Sequence, residues 1–257
     1  MITDTHAHYD DEAFESDRDA LLLSLQENGI GRLINVGASM RGCRDSYRLS
    51  MQYPFVYAAL GVHPSETEQL TEEDMQWILQ TAKDPKVVAI GEIGLDYHFP
   101  DDPPPEHQKQ WFARQIALAK EAGLPLIIHS RDAERDTAAV LADEHAEECG
   151  GVMHCYSYSK ESARDFLNLG LYFGIGGVLT FKNGRKLKEA AAFLPMDRIL
   201  LETDCPYLAP EPYRGKRNCS LYLPYVVEEL ARIKKISEEE VIRITTENAK
   251  RLFALPD

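Results

Sequence analysis

Near its start the chain reads MITDTHAHYD over residues 1–10, with two imidazoles one residue apart among aspartates. On a strand, His6 and His8 project to the same side, because successive side chains alternate faces. A neutral imidazole pair is half of a site for a borderline divalent metal, which takes nitrogen and carboxylate donors together. The rest must come from elsewhere in the chain. Glu92 lies inside the apolar run VVAIGEIGLD, where a buried carboxylate needs a cation or strong hydrogen-bond donors. Its two oxygens can bridge two ions about 3.5–4 Å apart. His129 in PLIIHSR, His154 in GGVMHCY and Asp204 in RILLETDCP close similar runs. Asp204 suits a double role, ligand and acceptor of a proton from a metal-acidified water, so it is a catalytic candidate. His63, in LGVHPSE, is a second catalytic candidate through substrate or phosphate contact, with a loop-positioning role as the alternative. Glu202 is expected on the opposite face from Asp204, in a supporting or ion-pair role.

These residues need elements that bring them together. Eight short apolar or β-branched runs have carboxyl ends near His8, Ala38, His63, Glu92, His129, His154, Gly176 and Asp204. Their ends are about 22 to 37 residues apart, the length of a strand–helix–strand unit. Helical patterns fall between them: one after a Ser16-Asp17 cap with Leu21, Leu22 and Leu25, and one over 106–122 ending at Gly123. Others follow in RDAERDTAAVLADEHAEE, SKESARDFLNLG and NGRKLKEAAAFL, and two more fill SLYLPYVVEELARIKK and the stretch after Ser237. Near-continuous apolar strands alternating with helices predict an α/β fold, a TIM-type (β/α)8 barrel with a C-terminal helical extension, as one domain over 1–257. In such a barrel the active residues belong at the carboxyl ends of the strands, and six of the eight ends carry a histidine or a carboxylate.

Composition narrows the function. The 257 residues carry 28 Lys+Arg against 42 Asp+Glu, a net −14, which argues against non-specific coating of duplex nucleic acid but leaves room for a local basic site. Such clusters occur in RGKRN (Arg214, Lys216, Arg217) and at Lys182 in TFKN; with Arg131, they are candidates for holding flanking phosphates. Tyr97 and Phe99 are candidates for stacking on bases. No run suggests a membrane span or a signal peptide, and five unpatterned cysteines read as reduced thiols, so a cytoplasmic protein with no obligate protein partner is expected. His98, His107 and His145 lie off the pattern and are expected to be solvated.

The motifs DTHAHYD, GVHP, GEIGLDY, IIHSRDA, GVMHCYS, GGVLTFKN and LLETDCPYLAPEPYRGKRN, in this order, resemble the TatD family of metal-dependent deoxyribonucleases, a branch of the amidohydrolase-like barrels. TTENAKRLF extends the resemblance to nearly the whole chain. It implies that His6, His8, Glu92 and Asp204 surround one divalent ion, and that Glu92, His129 and His154 surround a second. It also implies a DNA or oligonucleotide substrate, with attack from the 3′ end in many members. One departure is Ser65 after His63-Pro64, where many members carry another histidine. Histidine-rich coordination favours Zn, Mn, Co or Fe, and the family precedent admits Mg. Two other functions fit the same residues: metal-dependent hydrolysis of a small amide, ester or phosphoester, and a non-catalytic metal-binding barrel.

Overall fold

A computed structural model of the chain describes residues 1–256. The strands are β1 (Ile2–Ala7), β2 (Ile30–Val36), β3 (Val56–Leu60), β4 (Val87–Asp96), β5 (Leu126–Arg131), β6 (Gly151–Met153), β7 (Tyr172–Ile175) and β8 (Ile199–Leu201). After them in turn come α1 (Arg18–Glu27), α2 (Met40–Gln52), α3 (Glu72–Thr81), α4 (Pro105–Ala122), α5 (Glu134–Asp143), α6 (Lys160–Asn168), α7 (Arg185–Phe193) and α8 (Leu223–Lys234). A ninth helix, α9 (Glu238–Phe253), follows α8. The strands form one parallel sheet in the order β1 to β8. This is the TIM-type (β/α)8 architecture, and α9 is its C-terminal helical extension.

The chain divides into two compact units: Met1–Asn35 with Cys155–Arg164 and the part from Tyr172 onward, and Val36–His154 with Asp165–Leu171. In the first, β1 pairs with β2, setting Asp4 opposite Leu33, and β7 pairs with β8, setting Phe173 opposite Ile199. Ala7 bridges Cys205 beyond β8, so the first strand lies beside the segment that follows the last. From α9, the Asn248 side chain donates to Met196 O at 2.8 Å and Ile199 O at 2.9 Å, fixing the start of β8. Ser237 caps α9 by accepting from Glu240 N–H, and three glutamates in its first turn suit the helix dipole.

In the second unit β3, β4, β5 and β6 pair consecutively, with Ala59 opposite Ala89, Gly94 opposite His129 and Leu126 opposite Gly151. Thr71 and Asp74 form a reciprocal capping box at the start of α3, and Gly123 ends α4 in the left-handed region.

Two sequence expectations change. β4 runs to Asp96, so Glu92 is a mid-strand residue instead of a strand end. Asp17 occupies the N-cap position of α1 but makes no capping bond; its carboxylate takes the Arg217 guanidinium instead, at 2.6 and 2.8 Å. Among the described residues no helix is long and apolar enough to cross a membrane.

Candidate metal centre

β1 is buried along its whole length, so the histidine at its end is held in the core and His8, just past it, is 8 % exposed. The two Nε2 atoms are 3.0 Å apart, and Asp204 Oδ1 lies 3.4 Å from His8 Nε2 and 3.9 Å from His6 Nε2. Asp204 stands three residues beyond β8 in the left-handed region, with φ 57°. Aspartate tolerates that conformation better than most residues. The backbone holds it there: Asp204 N–H donates to His6 O at 2.9 Å and Tyr207 N–H donates to Asp204 O at 2.9 Å.

Asp4, which the motif reading passes over, anchors this arrangement. Its Oδ1 accepts from His6 N–H at 3.3 Å and Thr203 N–H at 3.1 Å; its Oδ2 accepts from the Thr203 hydroxyl at 2.7 Å and the Ser220 hydroxyl at 2.6 Å. Full burial pushes Asp4 up to about 7 even against those four bonds. One carboxylate thus ties the strand of His6 to the segment of Asp204. Asp4→Ala removes four buried hydrogen bonds, leaving His6 O at 3.3 Å as an acceptor for the two Thr203 donors, and at ~1 kcal/mol for each bond lost we expect a loss of about 3 kcal/mol. In calorimetry this lowers Tm by roughly 6–12 °C for a chain of this size. An unchanged Tm would refute the anchoring role.

The second unit holds the other donors. Glu92 Oε1 lies 2.9 Å from His129 Nδ1 and 3.5 Å from His154 Nε2, and one donor atom from each of these three residues falls within 4.8 Å of the others. His154 sits just past β6, with its N–H on Ile128 O at 2.9 Å. Asp96, also absent from the sequence reading, accepts from the far side of His129, with Nε2 3.1 Å from Oδ2. Gln108 fixes Asp96 in turn through its backbone, accepting from Asp96 N–H and donating to Asp96 O, both at 2.8 Å. Burial disfavours a charge on His129, but the bonds to Asp96 and Glu92 outweigh it and shift the ring upward. A carboxylate behind an imidazole fixes its orientation, and with Nε2–H given to Asp96 the other nitrogen, Nδ1, is the one turned toward Glu92.

His63 lies against His129, ring centroids 4.3 Å apart. Its Nδ1 accepts from Ser65 N–H at 3.2 Å and lies 2.8 Å from the Ser65 hydroxyl. Burial, with His129 nearby, lowers it to about 4. The neutral ring therefore carries its proton on Nε2. Nδ1 thus holds the loop at Ser65, and Nε2–H is the ring's other hydrogen-bonding group.

The remaining candidates are placed as follows. Arg131 is exposed with its guanidinium 5.1 Å over the Phe99 ring, and Arg214 is exposed 4.2 Å over Phe181. Lys182 and Lys216 are exposed. Arg217 is not available for phosphate, being held by Asp17 and by Ala13 O at 2.7 Å. Tyr97 gives its hydroxyl to Asp136 at 2.9 Å, and His98 pairs with Asp132 at 2.8 Å. Glu202 does not face away from Asp204: residues two apart fall on one side, as His6 and His8 do, and both line one narrow cavity. Glu202 is buried and accepts from Cys155 N–H at 2.6 Å. Gly174 makes room for it, since a Cβ there would lie 2.0 Å from Glu202 Oε2.

Each unit therefore gathers imidazole nitrogens and a carboxylate so closely that they must share a proton or a cation. The mixed nitrogen and oxygen donors fit a borderline divalent ion. Comparison with known proteins agrees. A family model described as TatD related DNase matches residues 3–254. The chain belongs to the TatD family. This TatD-family chain is 46% identical to a Bacillus subtilis (strain 168) protein named uncharacterized metal-dependent hydrolase YabD, over 99% of the chain and 100% of that relative. It is 33% identical, over 94% of both chains, to a Rahnella sp. (strain Y9602) protein named 3′-5′ ssDNA/RNA exonuclease TatD. The crystal structure of YJJV, a TatD homolog from Escherichia coli K12, superposes with a TM-score of 0.93 at 32% identity, covering 99% of this chain and 98% of that one.

Proposed function

We propose that this TatD-family metal-dependent hydrolase cleaves DNA phosphodiester bonds, acting from the 3′ end of single strands. The carrying observation is the pair of compact donor sets: His6, His8 and Asp204, within 3.9 Å, and Glu92, His129 and His154, within 4.8 Å. Each set would hold one divalent ion. The Rahnella exonuclease supports the choice of substrate, as does the family description. Cationic side chains at Arg131, Lys182, Arg214 and Lys216 supply phosphate partners on an otherwise acidic chain.

Bound divalent ions would acidify water and neutralise the charge that develops on the phosphoryl group. The protein's own residues supply the rest. An Asp204 carboxylate oxygen takes the proton of the attacking water as the new O–P bond forms, and the bond to the departing sugar oxygen breaks as that oxygen takes a proton from solvent. Asp4 keeps the Asp204 segment in place, and Asp96 keeps His129 in one orientation. His63 donates from Nε2–H to a phosphoryl oxygen.

His63→Asn separates the two functions of that ring, because the amide oxygen can replace Nδ1 as acceptor for Ser65 N–H while the far donor is lost. We expect kcat to fall about 100-fold, as for loss of one positioned donor, with Tm nearly unchanged. Equal kcat in variant and wild type would exclude the donor role. The substrate assignment is tested with a 5′-labelled single-stranded oligonucleotide and Mg or Mn. A ladder shortening from the 3′ end is expected, and an intact strand with cleavage of a small amide or ester would overturn the assignment.

A further inference from the structure

Beside the Asp204 cavity lies a second hollow in the same unit, lined by Ser157, Val178, Phe181, Asn183, Lys186 and Leu187 among others. The two share Val178 and Leu187 as a common wall. Their sizes differ sharply. The cavity that Asp204 lines has a volume of about 10 Å³, room for one water at most, whereas its neighbour measures about 310 Å³. That is the lower end of the range for small-molecule sites, ~300–1,000 Å³. A substrate group larger than water that flanks Asp204 on this side finds room in the larger hollow and not in the smaller.

Its lining has a distinct chemistry. Val178, Phe181 and Leu187 make an apolar floor, with Phe181 9 % and Leu187 4 % exposed. Around it stand the Ser157 hydroxyl, the Asn183 amide and the Lys186 ammonium, all exposed. Arg214 adds a second cation by lying 4.2 Å over the Phe181 ring. Neither Lys182 nor Lys186 is held in an ion pair among the described residues, whereas Arg185 between them is tied to Glu189 at 2.8 Å. An apolar floor with amide and hydroxyl groups at the rim suits a planar heterocycle with polar edges. The Lys186 and Arg214 cations beside it suit a phosphate. On a chain of net −14, this concentration of positive charge is a local reversal.

We propose that this hollow is a nucleotide subsite, which takes the base and phosphate of one nucleotide adjoining the bond to be cut. The proposal rests on the nuclease reading and adds where the strand lies. The base sits on Val178, Phe181 and Leu187, Asn183 and Ser157 meet its polar edge, and Lys186 and Arg214 hold its phosphate.

Fluorescence anisotropy of a labelled hexadeoxythymidylate, titrated with the full chain in chelator to prevent turnover, tests it. Ser157→Leu fills the hollow without changing charge, and Lys186→Glu reverses one cation. Each is expected to raise Kd at least tenfold with an unchanged circular dichroism spectrum. Lys83→Glu, the same charge change on the exposed turn after α3, is expected to leave Kd within twofold. Wild-type binding with both variants equally tight would overturn the subsite and leave the nuclease reading standing. Equal weakening by Lys83→Glu would overturn it too, by showing only a net-charge effect. No binding by the wild type would overturn the nuclease reading and the subsite together.

Discussion

Glu92→Gln is expected to lower the rate of oligonucleotide cleavage at least 1,000-fold and to remove about one equivalent of bound metal per chain. The size follows from its position. Glu92 is 4 % exposed and its Oε1 meets both His129 Nδ1, at 2.9 Å, and His154 Nε2, at 3.5 Å. Glutamine keeps the shape but removes the charge that offsets a cation, so an uncompensated dication would have to sit among neutral donors. Loss of a group that stabilises charge only at the transition state costs ~100- to 1,000-fold, and loss of the ion it holds adds to that. The measurement is a single-turnover cleavage rate alongside metal analysis of the dialysed variant. A variant with wild-type metal content and rate would remove Glu92 from the site.

Gly94→Ala is the second large effect, and it concerns folding. Gly94 stands opposite His129 in the β4–β5 pairing, with φ +143°, in a region that L side chains rarely adopt. A Cβ would lie 1.9 Å from His129 O and 2.9 Å from His129 C. Backbone cannot move aside as a flexible side chain can, so the two strands would have to separate at the residue that faces Glu92. We expect a loss of about 4 kcal/mol or more, seen as a drop in the denaturant midpoint or as insoluble protein. A midpoint within error of the wild type would show that β4 and β5 can separate freely there.

The barrel was legible because its signal is periodic and local. Eight apolar runs at near-even spacing, with polar residues closing most of them, need no knowledge of distant contacts. The candidate donors His6, His8, Glu92, His129, His154 and Asp204 stand out for the same reason: each is a polar residue where an apolar run predicts none. α2 was not, because its buried face is made of small residues, Gly42, Cys43, Ser46 and Ser50, with Leu49 as the one large apolar group. Asp4 was hidden by its partners, which lie about 200 positions away at Thr203 and Ser220. Arg217 read as a phosphate ligand from its basic neighbours, yet Asp17, equally remote in sequence, takes it. Glu202 was misplaced because residues two apart share one side of an extended segment, so it belongs beside Asp204 and not opposite it. Pairings across long sequence separations carry no periodicity, so they emerge only from the folded chain.

The most direct test of a two-ion nuclease site is a titration of metal-free protein with Mn, recording bound equivalents and the initial rate of single-stranded DNA cleavage in the same samples. Two ions on His6, His8 and Asp204 and on Glu92, His129 and His154 predict a rate that rises to a plateau at two equivalents per chain and vanishes on chelation. Cleavage that survives chelation, or metal that binds to saturation without any cleavage, would contradict it.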